Sequence, residues 1–193
     1  MVEVVGENFD KIVNRLLSLT LVKENMTNAV IFTPDGKNKY PSDILHKKNI
    51  LTLRGSFRPV TKVNIDMLTN GLEKFKQNKK VDENNIQILI EITLSNLKSE
   101  GEVNERDFLD RADILCSLGY TVMISNYKKY YKLTEYLSQY TNARMGLIIG
   151  VDNLVSMFDE KYYRNLNGGI LEAFGIIVTR AVSYTHLTLP TTD

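Results

Sequence analysis

Cysteine occurs once in the 193 residues, at Cys116, histidine occurs twice, and the charges nearly cancel to a formal net charge of +1. A single cysteine excludes an internal disulfide and a cysteine-rich zinc site. Near-neutrality argues against a nucleic-acid surface or an acidic tail. The apolar runs are far too short to span a bilayer. No basic segment followed by an apolar one opens the chain, so no signal peptide is expected. Also missing are a Gly-x-Gly-x-x-Gly turn, a Walker motif, zinc-ligand spacing and a Gly-x-Ser-x-Gly elbow. These absences predict a cytoplasmic protein with no metal held by its own side chains, no membrane association and no nucleic-acid partner.

What is present reads as a globular α/β chain. Hydrophobic residues make up 43 % and charged residues 24 %, ordinary values for a folded domain. The length suggests one domain with a sizeable core. Residues 7–23 place Phe9, Ile12, Val13, Leu16, Leu17 and Leu19 at amphipathic-helix spacing. Asn28–Thr33 is a short strand closed by Pro34-Asp35-Gly36, and residues 37–48 are polar loop with a short helix from Ser42. Asn49–Arg54 is the central strand. Thr61–Lys79 is a helix capped by Thr61, with Ile65, Leu68, Leu72 and Phe75 in one stripe. Gly71 lies inside that helix at a cost in propensity.

Ile86–Leu94 is a nearly continuous branched run, the pattern of a parallel strand covered on both faces. Asn104–Leu118 is a helix opened by an Asn104/Asp107 capping pair and stopped by Gly119. Tyr120–Ser125 is a strand, Lys128–Tyr140 a helix, Met145–Ile149 a strand and Asp152–Phe158 a short helix. Gly169–Val178 has helical spacing, although Gly175–Val178 also fits a strand. The alternation predicts an α/β fold: a mostly parallel, doubly wound Rossmann-like sheet with helices on both faces. The alternative is part of a closed barrel enzyme that uses Glu91 at a strand end.

In such sheets ligands bind at the carboxyl ends of the strands. Arg54-Gly55-Ser56, Glu91, Ser125-Asn126 and Gly150-Val151-Asp152 fall there. The first group is the most informative. Gly55 allows close backbone approach to a ligand, and Arg54, Arg58 and Lys62 supply positive charge suited to phosphate. A helix start follows at Thr61, where unpaired N–H groups favour anions. The two readings are a phosphate or nucleotide cradle and a capped turn whose basic residues are merely solvated. Glu91, inside a branched strand, is either a general base or metal ligand, or a carboxylate paired with an arginine such as Arg54. His46 reads as a surface residue, Cys116 as core, and Tyr127, Tyr130, Tyr131, Tyr136 and Tyr140 as helix packing more than base stacking.

Gly55-Ser56-Phe57-Arg58-Pro59-Val60-Thr61-Lys62-Val63-Asn64 resembles the Gly-x-Phe-x-Pro-x-His-x-x-His signature of the nucleotidylyltransferase superfamily, which includes nicotinate mononucleotide adenylyltransferases. Gly55, Phe57 and Pro59 match, and the two signature histidines fall at Thr61 and Asn64. The wider chain is similar to bacterial proteins loosely labelled as such adenylyltransferases. The resemblance implies transfer of an adenylyl group from ATP, with Mg²⁺, to nicotinate mononucleotide in NAD biosynthesis. Backbone groups at Gly55, Ser56 and Phe57 would then hold phosphates, and Arg54, Arg58 and Lys62 would neutralise charge. Thr61, Asn64 and Lys62 would stand at the catalytic positions, and Ser125, Asn126 and Asp152 would contact base, ribose or metal. Thr and Asn donate hydrogen bonds but no charge, which leaves a non-catalytic α/β ligand-binding or scaffold module as the other reading. Either way the expected partner is a small-molecule nucleotide or phosphate.

Val182–Thr191 differs in composition from the rest and resembles the conceptual translation of a transposon-type sequencing adapter, a contaminant of assembled metagenomes. The expected organisation is therefore a single α/β domain over residues 1–180, incomplete at its C-terminus, and a non-native tail over 181–193 in which His186 has no role.

Overall fold

A computed structural model describes residues 11–94 and 105–186. The chain runs α1 (Lys11–Lys23), β1 (Ala29–Phe32), β2 (Asn38–Lys39), α2 (Pro41–Leu45), β3 (Asn49–Arg54), α3 (Lys62–Lys76), β4 (Ile86–Thr93), α4 (Glu105–Ser117), β5 (Thr121–Ser125), α5 (Tyr130–Leu137), β6 (Met145–Gly150), α6 (Val151–Met157), α7 (Gly169–Arg180) and β7 (Ala181–His186). The seven strands form one open sheet in the order β2-β1-β5-β4-β3-β6-β7. From β5 to β7 every neighbouring pair is parallel. The fold is α/β, Rossmann-like and doubly wound, as the alternation of elements predicts.

Period-two alternation along the strands sends side chains into two cores, one on each face. Leu51 and Leu53 of β3, Ile90 and Ile92 of β4, and Val122 and Ile124 of β5 meet α1, α3 and α4. Ile50, Leu89, Met123 and Leu147 meet α2, α5 and α7 on the other face. Burial of each such aliphatic side chain contributes roughly 1.5–3 kcal/mol. The helices joining β3 to β4 to β5 share the first face. Those joining β5 to β6 to β7 share the second. The strand order reverses between β3 and β6, which makes their carboxyl ends the switch point of the sheet.

Two alternatives fall away, and the mostly parallel pattern gains a stated limit. The sheet is open, with β2 and β7 at its edges, so the described residues form no closed barrel and Glu91 is not the strand-end base of one. The parallel pattern does not extend to β1, which runs antiparallel to both β5 and the two-residue β2. Gly175–Val178 lies inside a helix, not a strand. The helix stop at Gly119 is found, with φ +87° and the amide of Tyr120 returning to the carbonyl of Leu115. The cap expected at Asn104 and the helix start expected before Lys11 lie outside the described residues. Of the segment set apart by composition, Ala181–His186 pairs with β6. An unpaired parallel edge accepts any segment of adequate strand propensity whatever its origin.

Candidate functional site

The rim at the carboxyl ends of β3, β4 and β5 is organised by a buried ion pair. Arg54 and Glu91 are register partners on adjacent strands. Both side chains point to the second face, since Ile50 and Leu89 do. Glu91 has no exposed surface. Arg54 Nε donates to Glu91 Oε2 at 2.5 Å and Nη2 to Oε1 at 3.3 Å, while Ser125 Oγ donates to Oε1 at 2.5 Å. Arg54 also donates to the carbonyls of Tyr127, at 2.8 Å, and Lys128, at 3.3 Å. Its face lies 4.5 Å from the centroid of the Tyr130 ring. Four of the five guanidinium N–H groups are thereby committed within the protein. Of the two readings of Glu91, pairing with Arg54 is the one the geometry contains. Arg54, expected to neutralise phosphate, instead holds the β5–α5 connection against the sheet.

The turn after Arg54 folds toward the first face. Phe57 is buried in that core and has φ +50°. A Cβ placed on Gly55 would lie 3.0 Å from the Phe57 ring, so the space opened by this glycine is filled by the chain's own side chain. Arg111 of α4 donates to the carbonyl of Ser56 at 3.3 Å and to Asp107 at 2.5 Å, and Arg58 lies 3.8 Å from the same carboxylate. Thr61 caps α3: its Oγ1 accepts from the amide of Asn64 at 3.3 Å, and Asn64 Oδ1 accepts from the amide of Thr61 at 2.9 Å. This reciprocal box satisfies two amides that an anion would otherwise meet. Lys62 follows at the first helical position, exposed to solvent.

On the second face the same rim holds a cleft of about 170 Å³ at the switch point. Arg54 and Thr93 line it from the strand ends, Lys128, Lys129 and Tyr130 from the β5–α5 connection, and Asn153 and Ser156 from α6. Tyr162 and Tyr163, in a 3-10 turn over Glu160–Tyr163, complete it. Lys128 is exposed. Lys129 Nζ donates to Asn165 Oδ1 at 2.5 Å, and the Tyr163 hydroxyl donates to the carbonyl of Met157 at 2.7 Å. Tyr130 is only 8 % exposed, and its hydroxyl is buried with no hydrogen-bond partner. Burial pushes this phenol up to about 12, with Arg54 partly offsetting the effect. At neutral pH it is therefore an uncharged donor that the protein does not use. A buried unpaired hydroxyl costs free energy.

The residues singled out in the sequence thus fall into separate groups. Arg54, Glu91 and Ser125 meet in one network. Gly55, Ser56, Phe57, Arg58, Thr61, Lys62 and Asn64 form a turn packed against the first face. Asn126 leaves both, its amide tied to the carbonyl of Val22 and to Asn25 at the end of α1. Asp152 is exposed in the first turn of α6, beside the cleft residue Asn153. Of the cleft residues, Lys128 and Lys129 were not singled out, and Tyr130 reads in the sequence as helix packing more than base stacking. Their signal was available: two lysines and a tyrosine directly after a strand end, at the rim where parallel sheets bind ligands. Among the described residues no group of three or more His, Cys, Asp or Glu side chains is placed to hold a metal ion, and no helix is long and apolar enough to cross a membrane. Comparison with family models, with curated proteins and with solved structures finds no match for this chain.

Proposed function

We propose that this protein binds a phosphorylated small molecule, best a mononucleotide, in the switch-point cleft between the β5–α5 connection and α6. The observation that carries this reading is a cleft at the switch point of the sheet with Lys128 and Lys129 together in its lining; Tyr130 lies beside them, its hydroxyl buried. The lysines supply charge for a phosphate, and Tyr162, half exposed at the cleft, supplies an aromatic face for a base. A volume of about 170 Å³ accommodates the phosphate-bearing part of a mononucleotide, with the remainder outside.

Binding without transfer is the better supported form of this reading. The positions that the nucleotidylyltransferase resemblance makes catalytic, Thr61 and Asn64, serve as a helix cap. The Mg²⁺ that the resemblance implies requires carboxylate ligands. Beside the turn, Asp107 lies between two guanidinium groups, and Glu91 is bound by Arg54 and Ser125. Asp152, exposed beside the cleft, belongs to no group of three or more His, Cys, Asp or Glu side chains among the described residues, so these residues do not fit a metal ion.

Calorimetric titration with AMP, ATP and inorganic phosphate tests the proposal. Saturable binding of a nucleotide is expected, weakened about tenfold or more when Lys128→Ala and Lys129→Ala are combined, since a charged hydrogen bond is worth roughly 1.5–3 kcal/mol. Absence of binding in the wild-type protein, or undiminished binding in the double variant, overturns it.

A further inference from the structure

A second cavity of about 580 Å³ lies on the other side of the β5–α5 connection, between α1, the start of α2 and the C-terminal half of α5. Its volume falls within the roughly 300–1,000 Å³ of small-molecule pockets. Four tyrosines line it: Tyr40, Tyr127, Tyr136 and Tyr140. The Tyr127 and Tyr136 rings have centroids 4.9 Å apart, inclined at 37°, and Tyr136 and Tyr140 meet edge to face at 5.2 Å. The tilted and edge-on contacts fix the rings against one another, so the wall is formed before any ligand arrives. Tyr40, 46 % exposed, brings a fourth ring that is open to solvent.

From these features we infer that the cavity is a binding site for a flat, uncharged heteroaromatic ring of nucleobase size. Aromatic walls favour a planar π-system, and Gln139 supplies an amide group for hydrogen bonds to ring heteroatoms, while Asn28 is hydrogen-bonded to the Tyr127 phenol beside it. Charge selects against the other common guest of a tyrosine cage, an organic cation. No carboxylate is among the lining residues, and Lys39 is. Burial raises the phenols of Tyr127 and Tyr136 above their ordinary value, so these walls stay neutral at physiological pH. The site is independent of the cleft: Tyr127 lines this cavity, whereas Lys128, Lys129 and Tyr130 line the other.

The test uses the full chain with its tyrosines ¹³C-labelled, and adenine as the probe. Free adenine carries no phosphate for the cleft lysines. Saturable shifts are expected in the ring signals of Tyr40, Tyr127, Tyr136 and Tyr140. Tyr40→Ala, a surface change that leaves the core intact, should weaken binding about fivefold, as loss of one stacking partner worth about 1 kcal/mol implies. The Lys128→Ala, Lys129→Ala double variant should bind adenine unchanged. Three outcomes overturn the inference: no saturable binding up to the solubility of adenine, affinity unaltered by Tyr40→Ala, or equal binding of cyclohexanecarboxamide, which offers an amide without an aromatic face.

Discussion

Arg54 and Glu91 occupy paired positions at the carboxyl ends of β3 and β4, and each neutralises the other where neither charge could be buried alone. The pair also carries structure beyond itself, because the same guanidinium holds the carbonyls of Tyr127 and Lys128. Glu91→Gln leaves the cation buried and is expected to cost about 3–5 kcal/mol, the range for breaking one side of a buried pair. Replacing both residues, Arg54→Met with Glu91→Leu, should cost less than Glu91→Gln alone. Urea denaturation of the three proteins measures this. An unchanged midpoint for Glu91→Gln would show that the pair does not hold the rim together.

Tyr130→Phe separates ligand binding from folding. Without ligand the hydroxyl is an unsatisfied buried group, and its removal should stabilise the protein by about 1 kcal/mol or more. If that hydroxyl meets a nucleotide, the same variant should bind more weakly than wild type. A rise in Tm together with a higher Kd is the expected signature. Binding as tight as wild type in Tyr130→Phe removes the hydroxyl from the site.

Thr61→Ala distinguishes a cap from a catalytic position. Loss of the Thr61 hydroxyl removes one of the two acceptors of the Asn64 amide at the start of α3, leaving the Thr61 carbonyl at 3.1 Å, and breaks the capping box. The expected cost is about 1 kcal/mol, within the roughly 0.5–2 kcal/mol range of N-cap replacements. Nucleotide affinity in the cleft should not change. Loss of binding at undiminished stability would return the function to the Gly55–Asn64 turn.

Much of the fold is legible because its signals are local. The branched run of β4 announces a strand covered on both faces, Thr61 announces a cap and Gly119 a stop. The two-residue β2 and the direction of β1 were not, because a two-residue strand shows no periodicity and four buried residues read the same in either direction. At the site, the strand-end rule led to Arg54, Glu91 and Ser125, yet their use depends on register. Only the pairing of residue 54 with residue 91 turns two candidate ligands into one structural pair. Gly55 was misleading for a similar reason. It reads as room for a ligand, and the positive φ of Phe57 brings that residue's own ring into the space.

Gly71 shows how packing overrides propensity. Inside an exposed helix, Gly→Ala gains about 1 kcal/mol. Here a Cβ would lie 2.5 Å from Ile148 Cδ1 of β6, so the glycine sets how closely α3 approaches the sheet. Gly71→Ala is expected to destabilise by about 1–3 kcal/mol through overpacking, and Ile148→Val in the same protein should recover part of the loss. A stabilised Gly71→Ala variant would mean that the Ile148 side chain moves aside at little cost.

Cys116 supplies a pH dependence with a defined sign. It is buried against the first face, and burial pushes its thiol from 9.0 to about 11, Arg15 partly offsetting the shift. Between these values the unfolded chain releases a proton that the folded chain keeps. The contribution to stability is therefore complete below pH 9 and is lost as pH rises toward 11, a fall of about 2–3 kcal/mol from this group. Tyr130, whose phenol burial raises from 10.0 to about 12, adds to the loss from about pH 10 upward. Comparing the wild-type protein with Cys116→Ala across pH 8–11 isolates the cysteine step, because the tyrosines are common to both. The same shift predicts reactivity. At pH 8 the thiolate fraction of the folded protein is about a hundredfold below that of an unshifted thiol, so alkylation should be slower by at least that factor than in urea. Equal alkylation rates in the folded and unfolded protein would place Cys116 at the surface.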